Sequence, residues 1–210
     1  MGDSGRIDAF TDSAFAFAVS LLVIGGSDAP KSLNQLIGAL YDIPAFAFSF
    51  GVIAVFWLGH VRWRKLRGNG DHRSLILTLL LIFLVLIYVQ PLRSMAAVTS
   101  IAISGRGVGF QGSLPALFAV YGSGFALMAA VMALLFHDVL KCAPLGHQRS
   151  KALGERGIWS ILAVTGAVSL ALTFTRYGIW AAMIYTTLPL TIGLFARRHN
   201  WSETADEAPQ

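Results

Sequence analysis

The residues from Leu75 to Val89 form an apolar run interrupted only by Thr78 and without a single charge. A stretch of that kind dictates where the chain can live, because its backbone must satisfy every N–H and C=O internally if it sits in lipid. A bilayer core of about 30 Å takes roughly 20 apolar residues as a helix, and six stretches of the sequence have that character. They run from about Ala9 to Gly25, Pro44 to Val61 (with an earlier start near Leu33 open), Ser74 to Met95, Leu114 to Leu140, Gly157 to Phe174, and Tyr177 to Phe195. Only Thr175 and Arg176 separate the last two, which predicts a tight helical hairpin. A β-barrel would alternate apolar and polar residues and shows no such solid runs. Composition agrees: 55% of the 210 residues are hydrophobic and 13% charged, against roughly 25% charged in soluble domains. The expectation is an all-α integral membrane protein of six transmembrane helices.

Asp12 falls in the first apolar stretch and Asp8 at its edge. A secretory signal would carry no charge in its hydrophobic region, so this stretch is read as a permanent helix. The basic residues set the orientation. Arg62, Arg64, Lys65, Arg67 and Arg73 follow the second span; Lys141, Arg149, Lys151 and Arg156 follow the fourth; Arg6 precedes the first, and Arg197 and Arg198 follow the last. Only Lys31, Arg93, Arg106 and Arg176 belong to the opposite side. Both termini are therefore expected in the cytoplasm. The net charge of +5 is topological, and no nucleic-acid partner is implied. Residues 199–210, polar and acidic, read as a disordered tail after a transmembrane unit of residues 1–198. The Asn200-Trp201-Ser202 sequon is discounted on that tail.

Ionisable groups at membrane depth are costly and raise functional hypotheses. Arg6, Asp12, Trp57 and His60 lie at one depth, near the cytoplasmic ends of the first two spans. Two readings stand for them: a polar clamp between the spans, and a proton-sensitive gate. Arg6 and Asp12 are about 120° apart on an ideal helix, which leaves the partner of Asp12 open. Asp42 before Pro44 reads as an N-cap, Arg93 after Pro91 as a snorkelling residue at the outer end of the third span, and His137 and Asp138 as interfacial.

Signatures of catalysis are missing. The glycine-rich run Gly105–Gly109 follows no strand and is a weak match to phosphate loops. The five histidines lack HExxH spacing, no nucleophile elbow appears, and Cys142 is the lone cysteine. No enzyme, cofactor or metal site is expected, and no TVGYG-like re-entrant filter loop.

On the first span, Phe10, Phe17, Leu21 and Ile24 fall within about 60° of arc, flanked by Ser13 and Ser20. In a bundle this stripe is core; around a symmetry axis it would form hydrophobic constrictions with hydroxyl rings between them.

The residues Arg6-x-x-x-Phe10-Thr11-Asp12, continuing into Phe15-Ala16-Phe17-Ala18 and Leu21-Leu22-Val23, resemble the RxxxFSD signature that opens helix one of the transmembrane protein 175 family of potassium channels. This family comprises the lysosomal potassium channel and its prokaryotic relatives. Phe56-Trp57-Leu58-Gly59-His60-Val61-Arg62 is similar to the family's FWxxHxR pattern, and the Leu-rich third span running into Val89-Gln90-Pro91-Leu92 is similar too. The likeness covers about residues 6 to 100; later spans match in hydropathy and topology only. It implies a single-repeat prokaryotic subunit of six helices, assembled as a homotetramer in the plasma membrane, with helix one lining a central, potassium-permeable pore. Carried over from the family, the apolar constriction falls on Phe17, a pore-facing hydroxyl on Ser20, and further apolar pore positions on Leu21 and Ile24. A polar network bracing helix one falls on Arg6, Asp12, Trp57 and His60, with Phe10 and Thr11 in the same signature. Thr11 stands where the motif has Ser, and Phe17 is bulkier than the family's Ile or Leu. The implied partners are potassium ions, the lipid bilayer and further copies of the chain. From a different class, a small secondary or proton-coupled transporter would place paired charges at the midplane.

Overall fold

The structure, a computed structural model, describes residues 3–24, 31–41, 43–68, 70–105, 112–142 and 146–198. It is all helical over these residues: α1 (Asp3–Ile24), α2 (Leu33–Tyr41), α3 (Ile43–Arg67), α4 (His72–Ser104), α5 (Leu114–Cys142), α6 (His147–Thr173), a 3-10 helix (Gly178–Thr187) and α7 (Leu188–Arg198). Five stretches are long and apolar enough to cross a membrane: Ile43–Arg67, His72–Thr99, Leu114–Cys142, His147–Thr173 and Gly178–Arg197. α1 adds 22 residues, about 33 Å at 1.5 Å per residue.

Five of the six expected spans coincide with these stretches, the first expected span coincides with α1, which is not among them, and the described residues do not form six continuous helices. The segment Leu33–Tyr41 is a separate nine-residue helix with no buried residue, not an early start of α3. The last span is two pieces, a 3-10 helix continuing into α7. Several helices also outrun their apolar stretches. α3 continues to Arg67 and α6 begins at His147, because hydropathy marks only the lipid-facing length and is silent about polar turns beyond it. α4 passes through Pro91 and Arg93 and ends at Gly105, whose φ of 64° lets its N–H reach the Ile101 carbonyl at 2.8 Å. Glycine suits this left-handed position. Asp71 caps the other end: its Oδ1 accepts the Ser74 N–H at 2.9 Å. Asp42, the stretch Arg106–Gly109 and residues 199–210 lie outside the described residues.

α5 occupies the middle of the bundle, packing against α6, α4 and α3, while α1 packs on α3 and α4. Where α3, α5 and α6 meet, Phe56 lies 5.2 Å from Trp159 and 5.7 Å from Phe125, ring centre to ring centre. A Cβ on Gly59 would fall 2.2 Å from the Trp159 ring, so the close approach of these helices requires glycine there. α5 and α6 touch through Gly122, Ala126 and Gly166, small residues that let two membrane helices approach backbone to backbone.

Candidate functional site at the basic end of the bundle

The start of α1, the end of α3, the start of α4, the end of α5 and the start of α6 converge at one end of the molecule, and α3 reaches each of the others with a polar side chain. Trp57 Nε1 donates to Asp12 Oδ1 on α1 at 2.8 Å. One and two turns further on, Arg64 Nε donates to Asp8 Oδ1 at 2.7 Å. Antiparallel helices with Asp8 and Asp12 at i, i+4 and Trp57 and Arg64 at i, i+7 present these groups along facing lines. His60 is buried, with Nε2 3.2 Å from Thr78 Oγ1 on α4. Trp63 Nε1 donates to the Leu135 carbonyl on α5 at 2.9 Å. Arg62 Nη1 meets Glu155 Oε1 on α6 at 2.9 Å. Arg67 Nε lies 3.4 Å from Asp138 Oδ2 on α5, and its Nη2 3.6 Å from Asp71 Oδ2.

The partner of Asp12 is therefore the indole of Trp57. Among the described residues Arg6 makes no ion pair with it, and Arg6 is exposed. His60 takes a hydroxyl of α4 as partner instead of a group on α1. Thr11 is buried and donates to the Ile7 carbonyl at 2.8 Å, a bond that keeps its hydroxyl satisfied inside the helix packing. Asp138 is buried and ion-paired, where an interfacial position was expected.

The arginines of α3 were read only as orientation signals, and their acidic partners Asp8, Asp138 and Glu155 escaped that reading. The i, i+4 spacing of Asp8 and Asp12 opposite Trp57 and Arg64 is the sequence signal for one of these pairs. Nothing local marks the other two, because they join residues 71 and 93 positions apart.

A cavity of about 310 Å³ opens between α1, α3 and α4, with Asp8, His60, Arg64, Asp71, Ser74 and Thr78 in its wall. Asp71, outside the membrane span, has its carboxyl held below the ordinary aspartate value, chiefly by the Ser74 backbone N–H and also by nearby Arg67. No group of three or more metal-ligating side chains occurs among the described residues.

Away from this end, α1 has two unlike faces. Thr11, Phe15, Ala18 and Leu22 are buried against α3 and α4. Phe10 and Phe17 are 56% and 57% exposed, and Ser13 and Ser20 are exposed beside them. Both serine hydroxyls donate back to their own helix, to the Ala9 carbonyl at 2.7 Å and the Ala16 carbonyl at 3.0 Å. Their oxygen lone pairs thereby point away from the helix. Leu21 is half-buried against the core. The side chain of Ile24 lies outside the described residues.

Residues 6–89 match the sequence model of the family described as endosomal/lysosomal potassium channel TMEM175. Over 91 residues the chain is 34% identical to a potassium channel of Marivirga tractuosa, covering 43% of this chain and 36% of that one. It is 32% identical over 90 residues to a potassium channel of Streptomyces collinus, covering 40% of this chain and 44% of that one. The chain thus matches less than half the length of these curated relatives. The fold likeness extends much further. A crystal structure of a variant of the potassium channel MtTMEM175 in complex with a nanobody fusion superposes with a TM-score of 0.80, over 92% of both chains at 23% identity. A TMEM175 homologue from Chamaesiphon minutus, described as a lysosomal potassium-selective channel homologue, superposes with a TM-score of 0.67 over 95% of this chain and 100% of that one, at 23% identity. Over residues 6–89 the chain is thus similar in sequence to the transmembrane protein 175 family, and over nearly its whole length it shares the fold of the solved channels of that name.

Proposed function

We propose that this chain forms a homotetrameric, potassium-permeable cation channel in a prokaryotic plasma membrane, with α1 of each subunit around the central axis and both termini in the cytoplasm. The observation that carries the reading is the uncovered face of α1. The helix bearing the family signature buries Thr11, Phe15, Ala18 and Leu22, and leaves Phe10, Phe17 and the two serines with nothing over them in the single subunit. The potassium-channel names of the sequence relatives support the same reading.

Placed round an axis, four Phe17 rings form the apolar constriction, with Leu21 and Ile24 continuing it outward. Such a ring excludes water and charges each cation for part of its hydration shell. Potassium sheds water at lower cost than sodium, so the ring discriminates modestly in its favour. Ser20, one turn away, turns a hydroxyl oxygen to the ion, because its hydrogen is already given to Ala16. The Asp12–Trp57 bond and the buried Thr11 hold α1 from behind.

Purified protein in liposomes tests this. Uncoupled potassium flux greater than sodium flux is expected, and Phe17→Ala is expected to raise flux and flatten the ratio between the ions. A Phe17→Ala variant with unchanged flux and ratio refutes the constriction, and flux obligatorily coupled to a second solute would make the protein a transporter.

A further inference from the structure

We propose that Asp8 and Arg64 are a positioning pair that sets where the first turns of α1 lie, and hence how widely the helix's uncovered face opens. Its consequence for conduction rests on the pore reading above; its effect on α1 does not.

Neither residue is among the fixed positions of the two motifs: Asp8 occupies an open position of RxxxFSD, and Arg64 follows FWxxHxR. Yet their contact is where α1 needs one. Gly5, Arg6, Ala9 and Phe10 are exposed, Ile7 is half-buried, and the first buried residue of the described α1 is Thr11. Core packing therefore holds the helix only from its third turn onward. Beside Asp8, the cavity of about 310 Å³ separates α1 from α3 and α4, so the side chains that would otherwise fix the helix there are missing, and the Asp8–Arg64 contact at 2.7 Å spans the gap.

Arg64 is suited to hold such a contact in place. Its Nη1 donates to the carbonyl of Gly68, the residue that ends α3 with φ 64° and whose own N–H returns to the Arg64 carbonyl at 3.1 Å. A guanidinium fixed at one edge by the α3 terminus offers its Nε in one direction, and a planar fork loses little freedom per bond made. The arginine is 19% exposed and the aspartate 39%. A pair so placed is screened by water and salt, which gives it the strength to bias a helix position and not to lock it.

The test uses the full chain with its lone cysteine removed (Cys142→Ala) and a reporter cysteine on the uncovered face of α1 (Ser13→Cys). The rate of its modification by a small charged methanethiosulfonate is measured in proteoliposomes, alongside potassium flux. Asp8→Asn, nearly isosteric, and Arg64→Gln are each expected to change the labelling rate about fivefold in the same direction. The double variant should change it no more than either single, as partners in one contact do, and Asp8→Glu should stay within about twofold of the parent. Single variants that leave the labelling rate unmoved overturn the pair, and so do effects of Asp8→Asn and Arg64→Gln that multiply in the double. If labelling behaves as expected while no protein passes potassium, the pore reading fails and the positioning pair stands. If potassium passes while labelling stays fixed, the reverse holds.

Discussion

Replacing Arg67 by Met should be among the most damaging single changes at the basic end. Asp138 is 5% exposed and Arg67 10%, with 3.4 Å between Nε and Oδ2. Removing the guanidinium while keeping the carboxylate leaves a buried charge without its counter-ion, a loss of about 3–5 kcal/mol. At roughly 2–4 °C per kcal/mol for a chain of this size, the melting temperature should fall by roughly 6–20 °C. Asp138→Asn should cost less, because Arg67 keeps Asp71 within reach at 3.6 Å. Arg67→Met combined with Asp138→Leu should recover most of the loss, since an apolar pair of similar volume needs no counter-charge. Thermal unfolding of the detergent-solubilised protein, followed by tryptophan fluorescence and by retention of a monodisperse elution peak, measures all three. A fall of less than about 3 °C for Arg67→Met, or a double variant no better than that single one, would show that Asp138 is solvated or neutral in the folded protein and refute the argument.

Gly166→Ala should separate α5 from α6. The added Cβ would lie 2.9 Å from the Ala126 nitrogen and 3.0 Å from its Cα, backbone atoms that cannot rotate aside. The expected cost is about 1–3 kcal/mol. Gly51→Ala, whose Cβ meets nothing within 4 Å, should leave the melting temperature unchanged or slightly raised; equal losses in both would refute the close-approach reading. Asp71 supplies a pH dependence. Its folded carboxyl titrates below the unfolded one, so its contribution is present at neutral pH and is lost as pH falls through the folded value. Asp71→Ala should therefore melt a few degrees below the parent at pH 7, and the gap should close in strongly acidic buffer. A gap that widens on acidification would contradict the capping geometry.

The sequence reveals spans more readily than contacts. Apolar length located α4 and α5, and the two motifs brought α1 and α3 to the same site. Their antiparallel pairing, and the choice of Trp57 as partner of Asp12, needed coordinates, because helical phase alone ranks several polar groups equally. Arg62 and Arg67 were harder still. A basic residue beyond an apolar stretch satisfies the orientation rule whether it meets water or a buried carboxylate, and Glu155 and Asp138 belong to helices whose pairing with α3 depends on the whole bundle. Phe10 shows the opposite case: it belongs to the motif, yet its side chain shares the exposed face of Phe17 and not the bracing side of α1.

The last span carries a mechanical consequence. Ten residues of 3-10 helix, Gly178–Thr187, rise about 2.0 Å each, against 1.5 Å in an α-helix. That stretch is about 5 Å longer than the same residues in α geometry would be. It is held from the side by Ser169, whose hydroxyl donates to the Ala181 carbonyl at 2.9 Å, and by Tyr185, whose ring centre lies 5.5 Å from Tyr121 and 5.3 Å from Phe125 of α5. A membrane element able to trade winding for reach can follow the thickness of its bilayer without tilting. Thick membranes would favour the extended winding seen here, and thin ones would draw the span in by nearly one turn.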